Sequence, residues 1–255
     1  MARQNGIVVL NGTIAGLNFY IRKGEAFVRK AGGGFEGEAI KKKASMVRVR
    51  ENSSEFGGCA KAVKQFKIAL HPLLAMVKDG GGHNRLVQLF SQIKNLDEVS
   101  VRGERNVYQG LLSVSGREKL LGYVITPGPS LEPLLLHAFG FGWGAEGFTI
   151  LNFLPSKLAF PKGATHLELQ SGYLVIDFEQ RKHSFASSAP FIIEKMAEVT
   201  SIQVAPDSVP VGNGFRIGVV LLRFMQEING VLYPLKEAPY TVMEVVSVEA
   251  PFAPV

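Results

Sequence analysis

The spacing of apolar residues changes twice along this chain, and that change limits the fold more than any single motif. From Ile7 to Lys30 they fall in short runs cut by turn residues. From Phe56 to Ile93 they recur at steps of three and four, and from about Val107 they return to short runs. A helix satisfies a period of 3.6 and a strand a period of two, so neither element can absorb the other's pattern. The expected class is α+β: an N-terminal β-meander arm and an αα-hairpin, followed by a C-terminal antiparallel β-sandwich.

In the first stretch, "GIVVLNGTIAGLNFYIRKGEAFVRK", Ile7–Leu10, Thr13–Arg22 and Ala26–Lys30 are predicted strands. Asn11-Gly12 and Lys23-Gly24 are the predicted hairpin turns. On the middle strand Ala15, Leu17, Phe19 and Ile21 then share a wholly apolar face, and with Phe27 they are the candidate subunit contact. A ribbon this small is barely stable unless something covers such a face. "AGGGFEGEA" (Ala31–Ala39) is expected to be a flexible linker.

The helical face carries Phe56, Ala60, Val63, Phe66, Leu70, Leu73 and Val77, with Ser53 or Ser54 as candidate caps and Pro72 ending or kinking the helix. "DGGG" (Asp79–Gly82) breaks it, and Leu86, Leu89, Phe90 and Ile93 mark the second helix. Lys61, Lys64, Lys67 and Lys78 are expected largely on or near the outer side of this αα-hairpin. From Val107 onward six to eight short strands suggest the sandwich. The predicted domains are 1–110 and 111–255.

Charge is uneven. The whole chain carries +6, residues 1–110 holding 18 Lys and Arg against 9 Asp and Glu, and residues 111–255 holding 10 against 13. A basic half beside a mildly acidic one suits nucleic acid, anionic surfaces or head-to-tail contacts between copies. "KKKASMVRVR" supplies the candidate contacts to nucleic acid or another anionic partner: Lys41, Lys42, Lys43, Arg48 and Arg50. Arg102, Glu104 and Arg105 of "VRGERN" can instead pair with charges of the helical hairpin.

No catalytic constellation stands out. Gly32, Gly34 and Gly37 match G-x-G-x-x-G, but the flanking sequence reads as a linker and not as a βαβ unit. The five histidines are dispersed, Cys59 sits by the apolar helix face, and Asp177 and Glu179 read as a solvated strand face. No cofactor and no metal site is expected, and one cysteine excludes an internal disulfide. "GFGWG" around Trp143 suits close packing or an interface, or an aromatic ligand platform. No run of 18 uncharged apolar residues occurs. The first apolar run holds Asn11 and Gly12 with no cleavage site after it, so a cytoplasmic protein without a signal peptide is expected.

Four stretches, "GIVVLNGTIAGLNFY", "VRVRENSSEFGGCAKAVKQFK", "VRGERNVYQG" and "FMQEINGVLYPLKEAPYTVMEVVSV", resemble a family of uncharacterised Bacteroidota proteins. The shared patterns are a G-I-x-x-L-x-G-T-I-x-G-x-x-F-Y opening, an R-E-N-x-x-E-F-G stretch and Q-E-x-N-G-x-x-Y-P-L terminal strands. The similarity touches both ends of the chain and most of its N-terminal half, and is silent over roughly 115–210. It implies the domain plan and a bacterial cytoplasmic source, and brings no activity or catalytic residues.

The leading expectation is a non-enzymatic, self-assembling structural subunit of a tube, filament, sheath or virion-like particle, forming a homo-oligomer or polymer through heterologous contacts. A nucleic-acid-binding or packaging protein is the alternative, and an adhesive sandwich with Trp143 as platform is the third.

Overall fold

The computed structural model describes residues 2–6, 8–32, 37–77, 82–198, 201–235 and 240–251. Two compact units are present, Met1–Arg50 and Glu51–Val255.

In the first unit, β1 (Ala2–Arg3), β2 (Gly12–Ile14), β3 (Leu17–Arg22) and β4 (Glu25–Lys30) form an antiparallel sheet in the order β1-β4-β3-β2. Val8–Leu10 is not the expected strand. The Gln4 side chain holds this connection, its amide donating to the Leu10 and Phe27 carbonyls and its oxygen accepting from Leu10 N–H. The linker reading is shortened at its C-terminal end, where Gly37–Ala39 open α1 (Gly37–Lys42); residues 33–36 of it lie outside the described residues.

The helical elements of the larger unit are α2 (Val47–Ala69, starting in the first unit), α3 (His71–Leu74), α4 (Gly82–Lys94), α5 (Val107–Leu112), α6 (Val114–Leu120) and α7 (Leu131–Leu135). Helix α2 starts before Ser53 and Ser54, which are therefore interior residues and not caps. Phe56 is 60 % exposed, whereas Val63, Phe66, Leu70 and Leu73 are fully buried as expected. Helices also replace the strands expected directly after Val107. Asn106 Oδ1 accepts from Gln109 N–H and Ser113 Oγ from Gly116 N–H, so two successive N-caps start α5 and α6.

The strands of this unit are β5 (Phe139–Gly142), β6 (Gly147–Leu151), β7 (His166–Asp177), β8 (Lys182–Ser187), β9 (Phe191–Glu194), β10 (Ser201–Val204), β11 (Phe215–Ile228), β12 (Val231–Pro234) and β13 (Thr241–Glu249). The two longest, β7 and β11, pair along eleven residues at the centre of a six-stranded sheet. Successive lengths of β11's other edge pair with β13 and then β12, and those of β7 with β9 and then β8. A second sheet runs β10-β6-β5. All pairings are antiparallel, and the fold is α+β with a sandwich-like pair of sheets.

Alternate residues of the central strands enter two cores. Leu174, Ile176, Ile217, Val219 and Leu221 meet Phe66, Phe90, Ile93 and Leu111 of the helices. Leu167, Leu169, Val220, Leu222 and Phe224 meet Phe148, Ile150 and Ile202 of the smaller sheet. Coverage of both faces explains why "GVVLLRF" reads as a continuous apolar run and does not alternate. It also places the division between units at residue 50 and not at 110: the helices and the large sheet share one core.

Close approach within this unit is set at Gly110, where an added Cβ would lie 2.2 Å from the Ile93 carbonyl oxygen. Backbone cannot yield as a side-chain tip can, so Gly110→Ala is expected to cost about 3 kcal/mol, measured by urea unfolding. "GFGWG" is a packing motif: Trp143 lies 4.7 Å from the Tyr173 ring with the Arg216 guanidinium over its indole, and Phe141 is edge-on to both aromatics. Tyr173 Oη is 2.8 and 2.9 Å from the Gly142 and Gly144 carbonyls, to which it donates.

Glu244 of β13 is a buried carboxylate whose Oε2 accepts from Leu131 N–H at 2.6 Å, at the start of α7. Burial raises its pKa above the ordinary 4.5. A raised native pKa means that stability present below pH 4.5 is lost as pH rises through the native value. Glu244→Gln keeps an acceptor and removes the charge. It is expected to raise stability at pH 7, an advantage that shrinks toward pH 4 in paired urea titrations.

Candidate subunit interface

The register of the small sheet decides which apolar residues of the arm meet. Ala15 and Gly16 have φ of 49° and 76°, and Lys23 and Gly24 of 52° and 80°, so each pair supplies the two positive values of a two-residue hairpin turn. The expected Lys23-Gly24 turn is present. The expected Asn11-Gly12 turn is not: Gly12 opens β2, and the chain reverses at Ala15-Gly16 instead. Parity gives the physical reason. In one strand Ile14 and Leu17 would point to opposite faces, whereas the turn at 15–16 sets them opposite each other on the same face.

That face gathers Ile14, Leu17, Phe19 and Ile21 with Ala26 and Val28, through the pairs Ile14–Leu17, Phe19–Val28 and Ile21–Ala26. Of the expected contact residues, Leu17, Phe19 and Ile21 are brought together. Ala15 is in the turn, and Phe27 pairs with Tyr20 on the opposite face, where their rings stack at 5.8 Å and the Arg29 guanidinium lies over Tyr20. Sequence reasoning missed Ile14 and Val28. The signal for them was the Ala15-Gly16 turn, hidden because alanine is a poor turn former.

No described residue of 2–50 is fully buried. Ile14 is 53 %, Leu17 41 % and Ile21 55 % exposed, and the nearby Val8 is 72 % exposed. Strands of two, three, six and six residues, at ~3.3 Å per residue and ~4.8 Å between strands, give a face of about 270 Å². That is about a third of the ~800 Å² per partner of a standard stable interface.

The basic residues sit on and beside α1. Lys41 and Lys42 are exposed and flank Glu38 at 3.6 and 3.0 Å, pairs worth little in solvent. Lys43 and Arg48 are exposed. Arg50 is used internally, its Nη1 donating to the Ile40 carbonyl at 2.6 Å and the Lys43 carbonyl at 3.0 Å. By compact unit, residues 1–50 hold 10 Lys and Arg against 3 Asp and Glu, a net of +7. Residues 51–255 hold 18 against 19, a net of −1, and the two sum to +6. The basic excess therefore belongs to the small unit alone.

In the larger unit Arg102 and Arg105 of "VRGERN" pair with carboxylates of α2. Arg105 donates to both Glu55 oxygens at 2.8 and 2.9 Å, Lys94 pairs with the same carboxylate, Gly103 N–H donates to it, and Arg102 lies 3.3 Å from Glu51. The Arg105 hydrogen bonds lead in holding the Glu55 pKa at about 2, against the upward push of burial and with help from Lys94 and Gly103. Asp97 organises the next loop, accepting from Val99, Ser100 and Asn106 N–H. Cys59 is buried, as expected, and burial raises its thiol pKa. Asp177 and Glu179 do not share a strand face: Asp177 ends β7 and its Oδ1 accepts from Glu179 and Gln180 N–H in the following turn.

Among the described residues no three His, Cys, Asp or Glu side chains are placed to hold a metal ion, and no helix is long and apolar enough to cross a membrane. Compared with protein-family models, curated proteins and solved structures, the chain matches none.

Proposed function

We propose that this chain is a non-enzymatic structural subunit that assembles with copies of itself into a tube, filament, sheath or particle, the N-terminal sheet making contact with a neighbouring copy. The observation that carries this reading is a four-stranded sheet whose apolar face is largely exposed and in whose unit no described residue is fully buried. Covering that face removes Ile14, Leu17 and Ile21 from water, at about 25 cal/mol per Å² of apolar area. Its small area supports a contact that is weak alone and becomes stable when repeated through an array. Opposite charge on the two units favours a heterologous contact, +7 against −1, which propagates instead of closing as a two-fold dimer. Sedimentation velocity over a hundredfold range of concentration tests this. Species growing with concentration support the proposal, and an unchanged monomer at high concentration overturns it.

The +7 of residues 1–50 also favours a second reading, in which the small unit binds nucleic acid. On this reading RNA or DNA is retained at low salt and released steeply as salt rises. Lys41→Ala/Lys42→Ala/Lys43→Ala then weakens retention and flattens the salt slope while leaving assembly intact, measured by filter binding across a salt series.

A further inference from the structure

The five histidines are far apart in sequence, but the fold brings two of them to one groove. The end of α2, α3 and the start of α4 enclose a cavity of about 780 Å³, within the ~300–1,000 Å³ range of small-molecule sites. Ile68, Leu74 and Leu86 contribute apolar surface, and Ile68 is 52 % exposed on a helix otherwise well covered on its inner side. Lys64, Lys67, His71 and His83 are the basic residues of the lining. Among the described residues no carboxylate lines the groove or pairs with any of these four. The helical core beneath is already filled, with Phe66, Leu70 and Leu73 fully buried, so the groove is an additional surface and not a packing defect.

We infer that this groove binds a free single-chain amphiphilic anion, an unbranched alkyl chain ending in one carboxylate or phosphate. The alkyl chain matches the apolar surface. The head group matches two lysines and two histidines that lack an anionic partner among the described residues. A neutral chain satisfies only the first requirement, and an inorganic anion only the second. The inference is independent of how copies assemble.

Titration calorimetry of the full chain with monomeric hexadecanoate at pH 7 tests it, with hexadecanol, inorganic phosphate and phosphatidylglycerol vesicles as comparison ligands. Saturable binding of one hexadecanoate per chain is expected, with hexadecanol at least tenfold weaker. Lys64→Gln/Lys67→Gln is expected to weaken hexadecanoate about tenfold. Ile68→Glu, at an exposed position the fold tolerates, places a carboxylate in the groove and is expected to abolish binding with an unchanged circular dichroism spectrum. The inference is overturned by absent saturation, by equal affinity for hexadecanol, by unaltered binding in both variants, or by binding confined to vesicles or phosphate.

Discussion

Leu17→Lys/Ile21→Lys is expected to abolish assembly, leaving monomer at every concentration at which the parent chain polymerises. Both residues are on the exposed apolar face of the small sheet, and neither is buried in the unit that carries them. Their replacement therefore removes no core. Two lysines on a face of about 270 Å² put a desolvation cost on every copy-to-copy contact, and an array repeats that cost. The larger unit should unfold at the same urea concentration as in the parent, which separates lost assembly from lost folding. Phe27→Lys is the internal comparison. Phe27 is on the opposite face against Tyr20, so under this account it weakens the sheet without poisoning the interface, and its assembly defect should be the smaller.

The second large effect is on stability. Glu55→Ala should destabilise the larger unit by about 3–5 kcal/mol, lowering its melting temperature by about 10 °C. The carboxylate is 3 % exposed and serves Arg105, Lys94 and the Gly103 N–H together, so its loss strands two cations and a backbone donor. The pH dependence has a definite sign. Glu55 has its native pKa held at about 2 from an ordinary 4.5. It contributes about 3 kcal/mol above pH 4.5, and that contribution falls away as pH drops from 4.5 toward 2. The Glu55→Ala variant lacks this acid sensitivity. Urea unfolding of both proteins at pH 7, 4 and 3 should show curves that converge as pH falls.

Much of this architecture is written in local pattern. The α2 and α4 faces, the break near Pro72, the Lys23-Gly24 and Asn229-Gly230 turns, and the pairing of Arg105 with the hairpin all follow from spacing and residue type; of the expected Asp79–Gly82 break, Gly82 opens α4 and the rest lies outside the described residues. Other features depend on competition that a single sequence does not display. Asn106 and Ser113 are short polar residues that suit turns as well as caps; here they cap, and the stretch after Val107 is helical although its composition resembles the strands beyond it. Asn11-Gly12 is a stronger turn signal than Ala15-Gly16, yet the latter gathers Ile14, Leu17, Phe19 and Ile21 on one face, and burial pattern outranks turn propensity. Of the five candidate contact residues, Leu17, Phe19 and Ile21 share one face, while the register puts Ala15 in a turn and Phe27 on the opposite face. The groove of Lys64, Lys67, His71 and His83 was illegible, because its two histidines lie on separate helices and match no motif.

Negative-stain electron microscopy of the purified chain, viewed alongside Leu17→Lys/Ile21→Lys at equal concentration, bears most directly on self-assembly through the N-terminal sheet. Regular tubes, filaments or particles are expected for the parent chain and dispersed single molecules for the variant. Dispersed molecules in both samples, or identical assemblies in both, would contradict assembly through this sheet.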